Sequence, residues 1–199
     1  MLKEKELKEY ANLMASRFLE DPGVMVQLSG LKRTELLFYL SCEGQIEAFD
    51  QQNAVHVLGN GQGVLIGYSS NSLPNERLVE VLQQASSKLM EVISKDELQL
   101  MQNRALLIHK ITTPDWYKQY HVGEVYHLLV VAIDQSLQGK GALRSLLMPV
   151  INECEEKKIP IILQTHNPNN VPIYQHFGFK LIESHYSEEI DLTCFCMAR

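Results

Sequence analysis

The segment Leu128-Leu-Val-Val-Ala-Ile-Asp-Gln-Ser-Leu-Gln-Gly-Lys-Gly141 passes from an apolar run through a glycine turn, and a helical stripe of Leu143, Leu146, Leu147, Val150, Ile151 and Cys154 follows at once. Glu124 to Ile133 is almost wholly apolar after its first residues, with Val130, Val131 and Ile133 β-branched. That pattern predicts a strand buried on both faces in a sheet interior. A strand feeding a helix through Gly139 and Gly141 points to an α/β layer fold, and it also makes an anion site. Glycine has no β-carbon to hold a phosphate off the backbone, and the unpaired N–H groups of a first helical turn converge on one point, reinforced by the helix dipole. Lys140 adds positive charge. A Walker A loop needs Gly-Lys-Ser/Thr, but Lys140 is followed by Gly141; a Rossmann loop needs a third glycine or alanine where Arg144 stands. Neither loop is present, and a plain tight turn is the alternative use of these glycines.

The remaining pattern is mixed. Leu7, Tyr10, Ala11, Met14 and Phe18 predict an amphipathic helix broken by Asp21-Pro22-Gly23, and Ala54–Leu58 and Val64–Tyr68 predict a hairpin around Gly59–Gly63. A helix over Asn75–Ile93 would bury Leu78, Leu82, Ala85, Leu89 and Val92. Ser94 and Glu97 have capping-box spacing for another beginning near Lys95. Pro149 predicts a bend in the helix after the glycine turn. Ile159–Gln164 reads as a strand, Val171–His176 as a short helix stopped by Gly178, and Phe179–Ala198 as two closing strands. With 199 residues, 45% of them hydrophobic and 21% charged, one folded domain is expected, without repeats or linkers.

The longest apolar run, Leu128–Ile133, is far short of the roughly 20 residues of a membrane-spanning helix, and the charged start has no signal-peptide pattern. The expectation is a cytoplasmic protein without a membrane partner. A net charge of -6 argues against coating nucleic acid. Of the four cysteines, Cys42, Cys154, Cys194 and Cys196, the last two have C-x-C spacing and share one face of a strand. Zinc sites pair such a motif with a second ligand pair. None is evident in the linear sequence, so the two read as small buried hydrophobes and no metal is assigned.

Gln138-Gly-Lys-Gly-Ala-Leu143 resembles the Q/R-x-x-G-x-G/A motif of the GNAT acyl-CoA N-acyltransferases, and Asn167-Pro-Asn-Asn-Val-Pro-Ile-Tyr-Gln-His-Phe-Gly-Phe179 resembles their N-x(6)-Y-x-x-x-G-F signature, in the family's order. The ending Cys194–Arg199, together with Phe18-Leu-Glu-Asp-Pro22, resembles puromycin N-acetyltransferase-like members. The match is strong from about residue 125 onward. The resemblance implies a GNAT fold: a mixed, mostly antiparallel sheet flanked by helices, with acetyl-CoA at a splayed strand pair. Residues 1–199 would form one domain, 1–120 on the acceptor side and 121–199 the cofactor-binding core. By the same resemblance, the backbone of Val131, Ala132 and Ile133 pairs with the pantetheine arm. Gln138, Gly139, Lys140, Gly141, Ala142, Leu143 and Arg144 surround the pyrophosphate, and Asn167 and Tyr174 contact the cofactor. Leu143 departs from the family's Gly/Ala; its place in the apolar stripe suggests it turns into the core.

Acetyl transfer to an amine needs a neutral amine and stabilisation of both the oxyanion and the leaving thiolate. The resemblance puts Tyr174 beside the cofactor sulfur as the catalytic residue, its phenol donating a hydrogen bond; a core aromatic is the other reading of that residue. Where family members often carry a carboxylate on the strand before Asn167, this chain has Ile162 and Gln164, and an amide takes no proton at neutral pH. Glu124, His121, His127, His166 or a water are the base candidates. The implied activity is acetyl transfer from acetyl-CoA to a primary amine of a small molecule, by a monomer or homodimer. A protein or peptide acceptor and a non-catalytic acyl-CoA sensor are the alternatives.

Overall fold

The computed structural model describes all 199 residues, Met1–Arg199. Three helices, α1 (Glu4–Phe18), α2 (Pro22–Leu28) and α3 (Thr34–Asp50), precede the hairpin β1 (Val55–Leu58) and β2 (Gly63–Ser69). Helices α4 (Asn75–Met90) and α5 (Lys95–His109) follow, then β3 (Tyr126–Ile133), α6 (Ala142–Lys157), β4 (Ile161–Thr165), α7 (Asn170–His176), β5 (Lys180–Ser187) and β6 (Leu192–Ala198). The six strands form one sheet in the order β1-β2-β3-β4-β6-β5, and only β3 and β4 run parallel. Alternation along the strands feeds two large cores and a smaller third, in which Ile162, Leu192, Cys194 and Cys196 meet Ile111 and Trp116. Val64, Ile66, Val130 and Ala132 pack with α1 and α3, whereas Leu65, Leu128, Leu163 and Met197 pack with Leu147 and Ile151 of α6. No helix is long and apolar enough to cross a membrane.

The structure corrects several sequence expectations. Asp21-Pro22-Gly23 ends α1 but also starts α2. The Asp21 carboxylate accepts from the N–H of Gly23 at 2.9 Å and of Val24 at 3.4 Å, and Pro22 occupies the first turn, where its missing N–H costs little. Helix α3 had no sequence signature, because Leu37, Cys42, Ile46, Ala48 and Phe49 are buried around more than one face. In α4 the buried line passes through Val81, Ala85 and Leu89, leaving Leu82 at 48% exposure, and Val92 lies beyond the helix and exposed. The capping box of Ser94 and Glu97 does start α5. Strand β3 is interior but not sealed on both faces: Leu129 is 40% exposed and Val131 and Ile133 are only half-buried. Helix α6 runs through Pro149 without interruption.

Candidate active site

β3 and β4 are paired at only two positions, Tyr126 with Ile161 and His127 with Ile162. Beyond them each strand keeps its other neighbour. β3 continues along β2 as far as Ile133 with Gly63, while β4 follows β6 from Leu163 opposite Met197 to Thr165 opposite Phe195. A wedge therefore opens in the middle of the sheet. At its apex, Gly67 pairs with Leu128 and Ile66 with Val130, so Leu129 is the extra residue of a bulge. A bulge interrupts the ladder and re-aims the strand at that point.

A cavity of about 720 Å³ fills the wedge and continues to the start of α6. Val131, Ala132 and Ile133 line it along β3; Gln138, Gly139, Gly141 and Ala142 line it at the turn; Leu143 and Arg144 follow in the first turn of α6. Asn167 and Tyr174 close it from the β4–α7 side. Lys140 is outside this lining. Leu143 is half-buried against the cavity rather than turned into the core, so the apolar stripe of α6 begins at Leu146.

The turn requires its glycines. Gly139 has φ +75° and Gly141 φ +81°, values that burden any residue with a β-carbon, and a β-carbon at either would project into open space. Gly141 caps α6 without a side-chain hydrogen bond, and no acidic residue occupies the first turn. The positive end of the helix dipole thus faces the cavity uncompensated by any carboxylate of that turn. From the same turn Arg144 reaches α7, its guanidinium 5.5 Å from the centre of the Phe177 ring and 3.3 Å from His176 Nε2.

Helix α7 begins after Asn169, with Pro172 in its first turn. Asn167 shapes this start: its Oδ1 accepts from Asn169 N–H at 3.0 Å, and its own N–H donates to Thr165 Oγ1 at 3.3 Å. Tyr174 stands edge-on to Phe179, with centroids 5.5 Å apart, and burial pushes its phenol up to about 12. It is thus a neutral donor throughout the physiological range.

The base candidates lie elsewhere. None of Glu124, His121, His127 and His166 lines the cavity. Glu124 accepts from the Ser69 hydroxyl, and His121 Nε2 lies 3.1 Å from the Glu124 carbonyl. His127 stacks on Tyr68 at 4.8 Å and meets Tyr117 edge-on at 5.5 Å; burial lowers its pKa to about 4. His166 pairs with Thr112 Oγ1 at 3.0 Å, and burial lowers its pKa too. Its ring also abuts Gly23, where a β-carbon would stand 2.4 Å from Nδ1. Carboxylates in the lining come instead from Glu20 and Asp21, in the turn that joins α1 to α2, and from Asp134 after β3; Arg17 and Phe18 at the end of α1 line it beside Glu20 and Asp21. Sequence reasoning assigned these residues no site role. The sequence showed Asp21-Pro22 only as a break after the first helix, and neither the helix it starts nor the cavity it faces.

Residues 116–195 match the model of the acetyltransferase (GNAT) domain. A 61-residue stretch is 41% identical to an uncharacterized N-acetyltransferase of Schizosaccharomyces pombe, covering 31% of this chain and only 25% of that protein. Among solved structures, a mosquito arylalkylamine N-acetyltransferase, like 5b, superposes with a TM-score of 0.61 at 14% identity over 99% of this chain and 96% of its own. An agmatine N-acetyltransferase does so with a TM-score of 0.57 at 12% identity over 100% and 96%. At such identities the likeness concerns the fold, which is the α/β fold of the GNAT acetyltransferases.

Proposed function

We propose, from the GNAT acetyltransferase domain matched over residues 116–195, that this protein transfers the acetyl group of acetyl-CoA to a primary amine of a small molecule. The observation that carries the reading is the parting of β3 from β4 in line with the glycine turn, all within one cavity. An extended amide-bearing arm fits the half of β3 that β4 leaves, as an added strand would. Its diphosphate fits the N–H groups of Gly139 and of Gly141 to Arg144, while that of Lys140 donates to the Leu137 carbonyl at 3.0 Å. The thioester end then falls toward the Leu129 bulge and Tyr174. The full-length likeness to arylalkylamine and agmatine acetyltransferases supports a small amine as acceptor. The Cys194–Arg199 ending and Phe18–Pro22 favour a place near the puromycin N-acetyltransferase-like members.

In the reaction the amine first gives up its ammonium proton to water; the neutral nitrogen attacks the thioester carbonyl, a C–N bond forms, the C–S bond breaks with the electron pair leaving on sulfur, and the remaining proton shed by nitrogen passes through water to the thiolate or to solvent. Transfer of a proton from a phenol at about 12 to a thiolate whose acid is near ~8.5 is uphill by roughly 5 kcal/mol. Tyr174 therefore acts by donating a hydrogen bond to the developing thiolate, not by surrendering its proton first. On the other flank, Glu20 and Asp21 attract a protonated amine to the cavity, and positioning of the two substrates supplies much of the acceleration. Calorimetry with acetyl-CoA, followed by an amine panel read by free thiol release, tests the reading. Saturable binding with turnover of a small amine is expected. Binding with silence across the panel would favour an acyl-CoA sensor, and turnover confined to peptides would move the acceptor to protein.

A further inference from the structure

We propose that the outer β-hairpin of the sheet, β5–β6, holds a zinc-type divalent cation between Glu183, His185, Cys194 and Cys196. The register sets these four side chains on one face of the hairpin. Glu183 lies opposite Cys196, and His185 opposite Cys194. Residues two apart on a strand point the same way, and directly opposed residues stand about 5 Å apart, so the four form a compact rectangle of donors. The ligand atoms of Glu183, His185 and Cys196 lie within 4.8 Å of one another. The Sγ of Cys194 stands outside that trio but on the same face, sharing the Gln164 amide with Cys196 at 3.4 Å and 3.3 Å, so it joins as the fourth donor when the site closes on the ion. A tetrahedral zinc ion with bonds of about 2.0–2.3 Å needs donors somewhat closer together, a contraction within reach of small side-chain rotations.

The chemistry of the set selects the ion. Two sulfurs, an imidazole and a carboxylate suit zinc, whereas calcium and magnesium take oxygen. The surrounding donors are those a metal site uses. Tyr120 Oη donates to Glu183 Oε1 at 2.6 Å and Gln119 Nε2 donates to the same oxygen, leaving Oε2 to face His185 Nε2 at 2.8 Å. Such outer hydrogen bonds orient a ligating carboxylate, and an amide N–H aimed at two sulfurs matches metal-bound thiolate. Both cysteines are fully buried, while His185 is half-exposed and leaves a route inward from the sheet edge. On loading, the thiols release their protons to solvent as the metal–sulfur bonds form. β5 has β6 as its only strand partner, so the ion would fasten the outermost strand. The C-x-C motif lacked a second ligand pair in the linear sequence; Glu183-x-His185 supplies it across the hairpin.

Titration of the purified chain with cobalt(II), read by the near-ultraviolet sulfur-to-cobalt charge-transfer band, tests the assignment. One equivalent is expected to bind, zinc to displace it, and zinc to raise the melting temperature. Cys196→Ser should weaken the band, leaving at most the share of Cys194. His185→Gln, at the half-exposed corner, should weaken binding at least about tenfold, and Tyr120→Phe by roughly tenfold through loss of carboxylate orientation. Unchanged acetyl-CoA affinity in His185→Gln certifies its fold if Cys196→Ser proves insoluble. Absence of a charge-transfer band together with no zinc-dependent rise in melting overturns the proposal. So does a band that survives unaltered in His185→Gln and Cys196→Ser, since the metal would then sit at Cys42 or Cys154.

Discussion

The two ends of β3 differ in their surroundings. At Tyr126 and His127 the strand is paired on both sides, and His127 is packed between the rings of Tyr68 and Tyr117. From Leu128 to Ile133 it keeps only β2, and its other edge borders the cavity. Both stretches pack side chains, Leu128, Val130 and Ala132 of the second among them, but only the second leaves an edge of backbone without a neighbouring strand. Within one strand, the presence or absence of a neighbour separates a stretch paired on both sides from one that borders the cavity, so perturbations at the two ends should register in different measurements.

The largest effect is expected at the open end. Gly141→Val places a branched side chain at φ +81°, in the space where the reading puts phosphate. Strain of ~1–2 kcal/mol and the loss of one charged hydrogen bond, ~1.5–3 kcal/mol, together weaken acetyl-CoA by roughly 100-fold or more. Calorimetry would show this, and wild-type affinity in the variant would break the comparison. At the closed end the signature is pH-dependent stability. His127 titrates at about 4 in the folded chain and near ~6.5 when unfolded, so the unfolded chain binds the extra proton in between. Its contribution is complete above the unfolded value and falls by about 2–3 kcal/mol as pH drops from ~6.5 toward ~4. Urea unfolding at pH ~7 and ~4.5 should show a flatter dependence in His127→Gln; burial lowers His56 and His166 as well, so part of the slope should persist.

Smaller effects sharpen the same contrast. Tyr174→Phe should lower kcat by about 100-fold, the scale of one oriented donor, while cofactor affinity stays the same. Equal turnover would remove the phenol from the chemistry. Asp21→Asn should raise KM for the amine by roughly tenfold with little change in melting, because asparagine also caps a helix; alanine there should cost ~1 kcal/mol of stability as well. Leu143→Ala, at the cavity rim, should change the preference between acetyl and longer acyl thioesters by only a few-fold, on the order of one or two buried methylenes.

The strand, turn and helix that line the cavity were readable because their determinants are local. Gly139 and Gly141, the stripe after them, and the Asn167–Phe179 motif each lie within one stretch of chain, and backbone recognition depends on strand, turn and helix in succession. The acceptor side was not. Asp21 was visible as a helix breaker, yet its place in the cavity depends on how α2 packs, and α3 had no single apolar stripe to announce it. Val131 and Ile133 carried the signature of a doubly buried strand; the missing cover is a matter of β4 diverging, which hydropathy alone does not encode. Likewise Glu183 and His185 gain significance only from the register that sets them opposite the two cysteines.

The contact between Gly23 and His166 has its own consequence. With no room for even one methyl group between them, the start of α2 rests on the exit of β4 as on a doorstop. A stop made of main chain and a ring held by Thr112 does not yield the way a flexible side chain does. The position of α2 against the end of β4 is therefore fixed, and with it that of Asp21, which caps α2 and lines the cavity.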